Sequence, residues 1–263
     1  MNSRARLALA FALLALAAGS PAASAPETPL NQRRSAYEDM SRDNKAMQDD
    51  DTSNPGMLFA LDGEALWNKK LGNAGKACAD CHGDARESMK GVAARYPAFD
   101  KALGRPVTIE QRINLERMQR EGAPPLAYES RDLLALSAFV ANQSRGMPIA
   151  AGDNPELKPF IEKGRALFMQ REGQLNLACA NCHDDNWDKR LAGSAITQAH
   201  PTGYPLYRLE WQSLGSLQRR LRACIAGIRA QAYDYGAPEL VELELYLMSR
   251  ARGMPLEAPA VRP

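Results

Sequence analysis

The sequence predicts an all-α protein in which one helical module is used twice in tandem behind an N-terminal extension. Three observations carry this expectation. The pattern C-x-x-C-H occurs twice, as Cys78-Ala79-Asp80-Cys81-His82 and Cys179-Ala180-Asn181-Cys182-His183. The segments before it repeat: Gly63-Glu64-Ala65-Leu66-Trp67 stands 15 residues before Cys78, and Gly164-Arg165-Ala166-Leu167-Phe168 stands 15 before Cys179. Each half then closes on an amphipathic stretch, Leu133, Leu136 and Val140 in one and Leu240, Leu243 and Leu247 in the other, with the spacing of one helical face.

The chain of 263 residues is 45% hydrophobic and 24% charged, enough apolar content for a packed core. Its N-terminus carries Arg4 and Arg6, then a 12-residue apolar run from Leu7 to Ala18, then Ala23-Ser24-Ala25. A basic start, a short apolar run and a small-residue cleavage site describe a secretory signal peptide over 1–25. The apolar run is too short to span a bilayer, so no membrane span is expected. Removing this segment leaves 31 basic against 31 acidic side chains, a balance that argues against a nucleic-acid partner. Export would place the thiols in an oxidising compartment.

Residues 26–56, with Asp49-Asp50-Asp51 and Asn54-Pro55-Gly56, form a polar extension expected to wrap the surface or a partner. The first module is expected over 57–150 and the second over 155–263, parted by the turn formers Ala151-Gly152-Asp153-Asn154-Pro155. Gly236-Ala237-Pro238 marks the start of the last helix, with proline in its first turn. Ser144-Arg145-Gly146-Met147-Pro148 and Ala251-Arg252-Gly253-Met254-Pro255 follow the two closing helices identically, which reads as a structural turn rather than a pair of methionine ligands.

C-x-x-C-H is the attachment pattern of c-type haem. Two thiols on one helical turn each add to a haem vinyl group, and the adjoining histidine reaches the iron. Zinc ribbons are the competing reading, but thiolate zinc sites rarely place a histidine beside the second cysteine twice. Two covalent haems are therefore expected, held by Cys78 and Cys81 and by Cys179 and Cys182, with His82 and His183 as iron ligands. Each half is then similar to the small all-α cytochrome c fold, in which the porphyrin supplies much of the core.

Cys224 is left without a partner in the chain. A buried inert thiol is one reading; an iron ligand or a reactive thiol is the other, favoured by Arg219, Arg220 and Arg222, since guanidinium groups stabilise a thiolate. Aligning the halves sets Glu116 opposite Cys224, and the nearby sulfur of Met118 is offered as the distal ligand of the first iron, with Met89 and Glu116 as alternatives. His200 is expected to be structural, and Lys189 and Arg190 are as consistent with surface positions as with a wider positive field.

The run Tyr204-Pro205-Leu206-Tyr207-Arg208-Leu209-Glu210-Trp211-Gln212, the segment from Gly215 to Cys224, Arg250-Ala251-Arg252-Gly253-Met254-Pro255 and Asp51-Thr52-Ser53-Asn54-Pro55-Gly56-Met57 resemble the SoxA family, dihaem cytochrome c subunits of periplasmic SoxAX complexes. The resemblance implies an L-cysteine S-thiosulfotransferase that oxidatively joins thiosulfate to a cysteine of the SoxYZ carrier, together with a SoxX cytochrome subunit. It implies that Cys224 is the catalytic distal ligand of the second haem, modified to a persulfide, and that Arg220 binds substrate. Glu116 departs from the commonest dihaem pattern, where the first haem also has a distal cysteine. Two rivals remain: a dihaem thiosulfate dehydrogenase forming tetrathionate, disfavoured by the context around Leu209 and Cys224, and an electron-shuttling cytochrome, which leaves an arginine-flanked lone cysteine unexplained.

Overall fold

The computed structural model describes residues 28–263; the expected signal peptide lies outside them. Ten α-helices dominate the described residues: α1 (Arg42–Asp49), α2 (Pro55–Trp67), α3 (Cys78–His82), α4 (Ala85–Ser88), α5 (Ile109–Glu116), α6 (Arg131–Asn142), α7 (Lys158–Met169), α8 (Cys179–His183), α9 (Leu217–Gly227) and α10 (Pro238–Arg250). No helix among the described residues is long and apolar enough to cross a membrane.

The two repeated glycine-led segments are α2 and α7, and the closing stretches are α6 and α10. Helix α2 starts sharply because Asn54 accepts from the Gly56 amide and Pro55 occupies the first turn. It crosses α6 where Gly63 meets the carbonyl of Ala135, so closely that a Cβ there would lie 2.1 Å from that oxygen. Gly164 brings α7 equally close to α10, with a Cβ position 2.0 Å from the Glu242 carbonyl oxygen. Phe168, one turn beyond Gly164, is 1% exposed and packs with Leu240, Leu243 and Leu247. The repeated glycines are thus crossing points of paired helices.

The fold is not purely helical. Seven short strands are present among the described residues: β1 (Ala98–Asp100), β2 (Arg105–Val107), β3 (Arg190–Leu191), β4 (Ser194–Ala195), β5 (Leu206–Arg208), β6 (Ser213–Gly215) and β7 (Ala260–Arg262). β1–β2 and β3–β4 are antiparallel pairs, and β5 lies between antiparallel β6 and parallel β7. At two or three residues each, none shows a two-residue alternation long enough to recognise in sequence. The three-stranded sheet matters for the site, because β6 feeds directly into α9.

The Met-Pro turns are structural, as expected. Pro148 and Pro255 bridge each other, with Ile149 N donating to Met254 O and Leu256 N to Met147 O. Ile149, Met254 and Leu256 are buried together with Met248, so the turns join the halves of the chain.

The N-terminal extension wraps the chain's own second half. Arg34 N donates to Gln198 Oε1 at 2.8 Å, Ser35 Oγ to Glu257 Oε1 at 2.5 Å, and Asn54 Nδ2 to Pro259 O at 3.0 Å. Gln48 on α1 accepts from Val261 N at 3.1 Å and also pairs with Arg262. These bonds hold β7, and through it β5.

Candidate functional site

The second C-x-x-C-H motif forms the one-turn helix α8. Asn181 Oδ1 accepts from Ala178 N at 3.0 Å, satisfying an amide at the start of the turn. His183 Nδ1 lies 2.7 Å from Thr197 O. A carbonyl can only accept, so Nδ1 carries the proton and Nε2 keeps its lone pair free, the arrangement that orients a metal-binding imidazole. Burial pushes the His183 pKa down, against the Thr197 hydrogen bond, and the fields of Arg220 and Arg250 push it further the same way.

Helix α9 presents Arg219, Arg220, Arg222 and Cys224. Its N-cap is Ser216, whose hydroxyl accepts from Arg219 N at 3.1 Å. Arg219 lies over the Trp211 ring at 4.2 Å and donates to Ser213 Oγ, while Arg222 lies over Tyr235 at 4.5 Å. These two guanidinium groups are packed on aromatic rings. Cys224 is exposed and lies within electrostatic reach of Cys179, whose thiol burial pushes up to about 11 with a further rise from Cys224. Tyr204, half-buried and pushed up to about 12 by that burial, feels Arg220 and Cys224 together. Leu221 and Ile225, the neighbours of Arg220 and Cys224 on α9, pack in one cluster with Cys179 and Tyr204, and His183 feels Arg220. An open cleft of about 850 Å³ lies alongside, lined by Glu172, Gly173, Arg229 and Tyr233 among others.

Tyr204 and Thr197 were missed as site residues. Tyr204 stood within a run already singled out; Thr197 acts through its carbonyl, which no side-chain pattern reveals. His200 is structural as expected: it is 6% exposed, its Nδ1 lies 3.0 Å from Arg34 O, and burial pushes its pKa down to about 4. Lys189 and Arg190 bond Asn186 and Gly193 on the exposed β3–β4 hairpin.

The first motif is helix α3. Ala77 N donates to Asp80 Oδ2 at 2.9 Å, the His82 ring sits 5.6 Å from Trp67, and Trp67 Nε1 donates to Gly83 O. Cys78 Sγ donates to Glu121 Oε1 at 3.3 Å, and burial, reinforced by Glu121, pushes its thiol up to about 12. Glu121 is itself in a buried ion pair with Arg117 at 3.5 Å. Cys81 is exposed, and all five cysteines are free of disulfides.

The counterpart of Cys224 in this half depends on which end of the helix is counted. From the N-caps, Thr108 and Ser216, it is Glu116. From the far end, Asn73 N and Ala74 N donate to Gly122 O and Glu121 O just as Gln174 N and Leu175 N donate to Arg229 O and Ile228 O, and that register gives Arg117. The first half holds one extra residue, absorbed as a π-helical turn over Arg117–Glu121. Met118 sits on this turn, 45% exposed. Glu116 is engaged by Arg112 at 3.4 Å and Arg120 at 3.7 Å, and Met89 packs against Trp67, Ala85, Phe139 and Val140.

Between the halves lies a cavity of about 40 Å³, lined by Glu110 on α5 and Glu244 on α10 with Tyr96, Tyr204 and Met248 among others. Burial raises both carboxyl pKa values; Glu110 raises that of Glu244 further, and Glu129 that of Glu110. The nearest polar groups are Thr108, Glu129 and Tyr128 on one side, and Gln218, which donates to Glu244 Oε2 at 3.2 Å, on the other. A raised carboxyl pKa in the folded state contributes stability that is full below the ordinary glutamate value of 4.5 and is lost as pH rises through the folded value. Glu244→Gln is expected to stabilise the protein at pH 8 and to leave it little changed at pH 4, measured as Tm against pH. Equal shifts at both pH values would contradict this.

A model of the SoxA/TsdA cytochrome c domain matches residues 62–149 and 163–256. The chain is 39% identical over 229 residues to the L-cysteine S-thiosulfotransferase subunit SoxA of Rhodovulum sulfidophilum, covering 87% of this chain and 80% of that one. It is 38% identical over 242 residues to the subunit of the same name from Pseudaminobacter salicylatoxidans, covering 91% and 85%. Among solved structures, a chain of SoxXA from P. pantotrophus superposes with a TM-score of 0.84 at 30% identity, covering 88% and 87%.

Proposed function

The chain belongs to the SoxA/TsdA cytochrome c family, and from that membership we propose that it is the thiosulfate-handling subunit of an L-cysteine S-thiosulfotransferase. It comprises two cytochrome c-like modules, 57–150 and 155–263, behind an extension over 26–56 and a signal peptide over 1–25. It works in the periplasm beside a SoxX-type cytochrome subunit, and its protein substrate is the cysteine thiol of a SoxYZ carrier. The name of the superposed structure, a SoxXA complex, supports the first partner.

Two haem c groups, attached through Cys78 and Cys81 and through Cys179 and Cys182, supply the electron acceptor when bound. The residues fit that role: four free thiols stand in pairs on one-turn helices, and the Nδ1 of His183 is occupied so that Nε2 is left for iron. His82 and His183, with Cys224 at the second haem and Met118 at the first, would ligate the iron.

The observation that carries this reading is the packing of α9 on the second motif: Leu221 and Ile225, which adjoin Arg220 and Cys224, share one cluster with Cys179 and Tyr204, with Arg220 and Cys224 in electrostatic range of His183 and Cys179. Thiosulfate is a dianion, and Arg220 binds its sulfonate through charge-assisted hydrogen bonds. The Cys224 sulfur forms a sulfur–sulfur bond to the outer sulfur of thiosulfate, releasing two electrons. The carrier thiol loses its proton and attacks that outer sulfur, taking the thiosulfate group and returning Cys224 as thiolate. The sum joins one thiol and one thiosulfate with loss of one proton and two electrons.

The test is mass spectrometry of the products formed by the purified complex with thiosulfate, oxidised cytochrome and reduced carrier. A thiosulfonate adduct on the carrier cysteine, formed only with active complex, is the expected result. Tetrathionate formed equally well without carrier would assign the dehydrogenase activity instead, and neither product would leave an electron shuttle.

A further inference from the structure

Helix α5 and helix α9 occupy matching places in the two halves, and their N-termini are completed in different ways. In α5 the device is local. Thr108 Oγ1 accepts from Gln111 N at 3.3 Å, and Gln111 Oε1 accepts from Thr108 N at 3.2 Å, the reciprocal pair of a capping box. In α9 the cap is Ser216, but the residue three positions on is Arg219, a side chain with no acceptor. The missing acceptor comes from the other half. Ser216 Oγ donates to Glu129 Oε1 at 2.5 Å, and Ser216 N lies 3.4 Å from Glu129 Oε2, across 87 residues of sequence. Both donors of the cap residue thus end on one carboxylate supplied from the loop before α6.

Resting on the reading of Cys224 and Arg220 given above, we propose that Glu129 is a positioning residue for the reaction: it completes the capping box of α9 from the first half and so sets where Arg220 and Cys224 stand. Three features make the contact a deliberate clamp. Glu129 holds a left-handed backbone conformation, φ 61°, which costs a non-glycine residue of the order of 1 kcal/mol and persists only where surroundings enforce it. Its neighbour Ser130 caps α6, accepting from Leu133 N, so one dipeptide fixes the N-termini of a helix in each half. Arg219, released from capping, instead lies on Trp211, whose ring packs so closely on Gly215 that a Cβ there would meet it at 2.5 Å. The first half therefore has a role in the chemistry beyond carrying its own motif. Arg220 stands one turn from the clamp and Cys224 two turns, and small errors in placing reacting groups are costly in rate.

The test uses the complete haem-loaded complex with Glu129→Ala, Glu129→Gln, Ser216→Ala and the Glu129→Ala/Ser216→Ala double variant. Conjugation kinetics and the electron paramagnetic resonance signal of the thiolate-ligated haem are read for each. Glu129→Ala is expected to lower kcat about tenfold and broaden the thiolate signal. Ser216→Ala, which also removes the cap on Arg219 N, should lose at least as much, and the double variant should be no worse than Ser216→Ala alone, because both singles remove the shared hydroxyl–carboxylate contact. Glu129→Gln, whose amide oxygen still accepts from the serine, should recover most of the rate. Wild-type kcat and signal in Glu129→Ala with only Tm lowered would reduce the contact to a structural one, and additive losses in the double would equally overturn the proposal. If Glu129→Ala does not fold, Ser216→Ala and Glu129→Gln decide on the same readouts. Cys224→Ser run in parallel separates the two claims: full activity there removes the reading of Cys224, whereas an inactive Cys224→Ser beside an unaffected Glu129→Ala removes only the clamp.

Discussion

Replacing Cys224 by serine is expected to abolish thiosulfate transfer, lowering turnover about a thousandfold or more, while haem attachment at both motifs persists. A serine hydroxyl cannot make the sulfur–sulfur bond the reaction requires. The fold has little stake in the thiol: Cys224 is exposed on α9, whose buried face is formed by Leu217, Gln218, Leu221 and Ile225. Intact-mass analysis of the carrier reads the loss of adduct, and the absorbance of the purified chain reads haem content. Turnover at the wild-type rate in this variant would sink the assignment of the reactive atom. Arg220→Ala should differ in kind, weakening thiosulfate binding while leaving the sulfur in place.

The legible and illegible parts of the site divide by distance along the chain. The attachment motifs were legible because their chemistry is packed into five consecutive residues, and Cys224 because the other four cysteines were accounted for. The glycines at 63 and 164 were visible as a repeat, yet their meaning lies in carbonyls of other helices, Ala135 and Glu242. The sheet that leads into α9 pairs Leu206 with Ala260 in parallel, a contact no local pattern encodes in strands of three residues. Glu129 was passed over for the same reason, its partner Ser216 being 87 positions away. At the first motif the obstacle was a single residue: the π-helical turn over Arg117–Glu121 lets either Glu116 or Arg117 face Cys224 in an alignment, and only the hydrogen bonds accepted by the Glu121 and Gly122 carbonyls expose the insertion.

The largest expected loss of stability comes from Gly164→Ala. Alanine is the better helix former by about 1 kcal/mol, so propensity alone forecasts a gain. Packing reverses the sign. The new Cβ would stand 2.0 Å from the Glu242 carbonyl oxygen and 2.6 Å from its carbonyl carbon, with the Tyr246 Cβ at 2.8 Å. Two of those atoms are backbone of α10 and cannot swing aside as a side chain would, so the helices must separate. A cost of about 3–5 kcal/mol is expected, a fall in Tm of roughly 10 °C for a chain of this size. Gly227→Ala is the internal comparison: at the end of α9 its Cβ would meet nothing within 4 Å, and the variant should be neutral or slightly more stable. Thermal unfolding of the two variants side by side checks the argument, and a Gly164→Ala protein as stable as wild type would refute it. The consequence reaches the site, because Arg250 at the end of α10 holds Asp184, the residue after His183, at 2.6 Å and lies over Phe168 of α7 at 4.7 Å. Spreading α7 from α10 pulls on both contacts, so the histidine of the second motif should lose its fixed orientation before the chain unfolds.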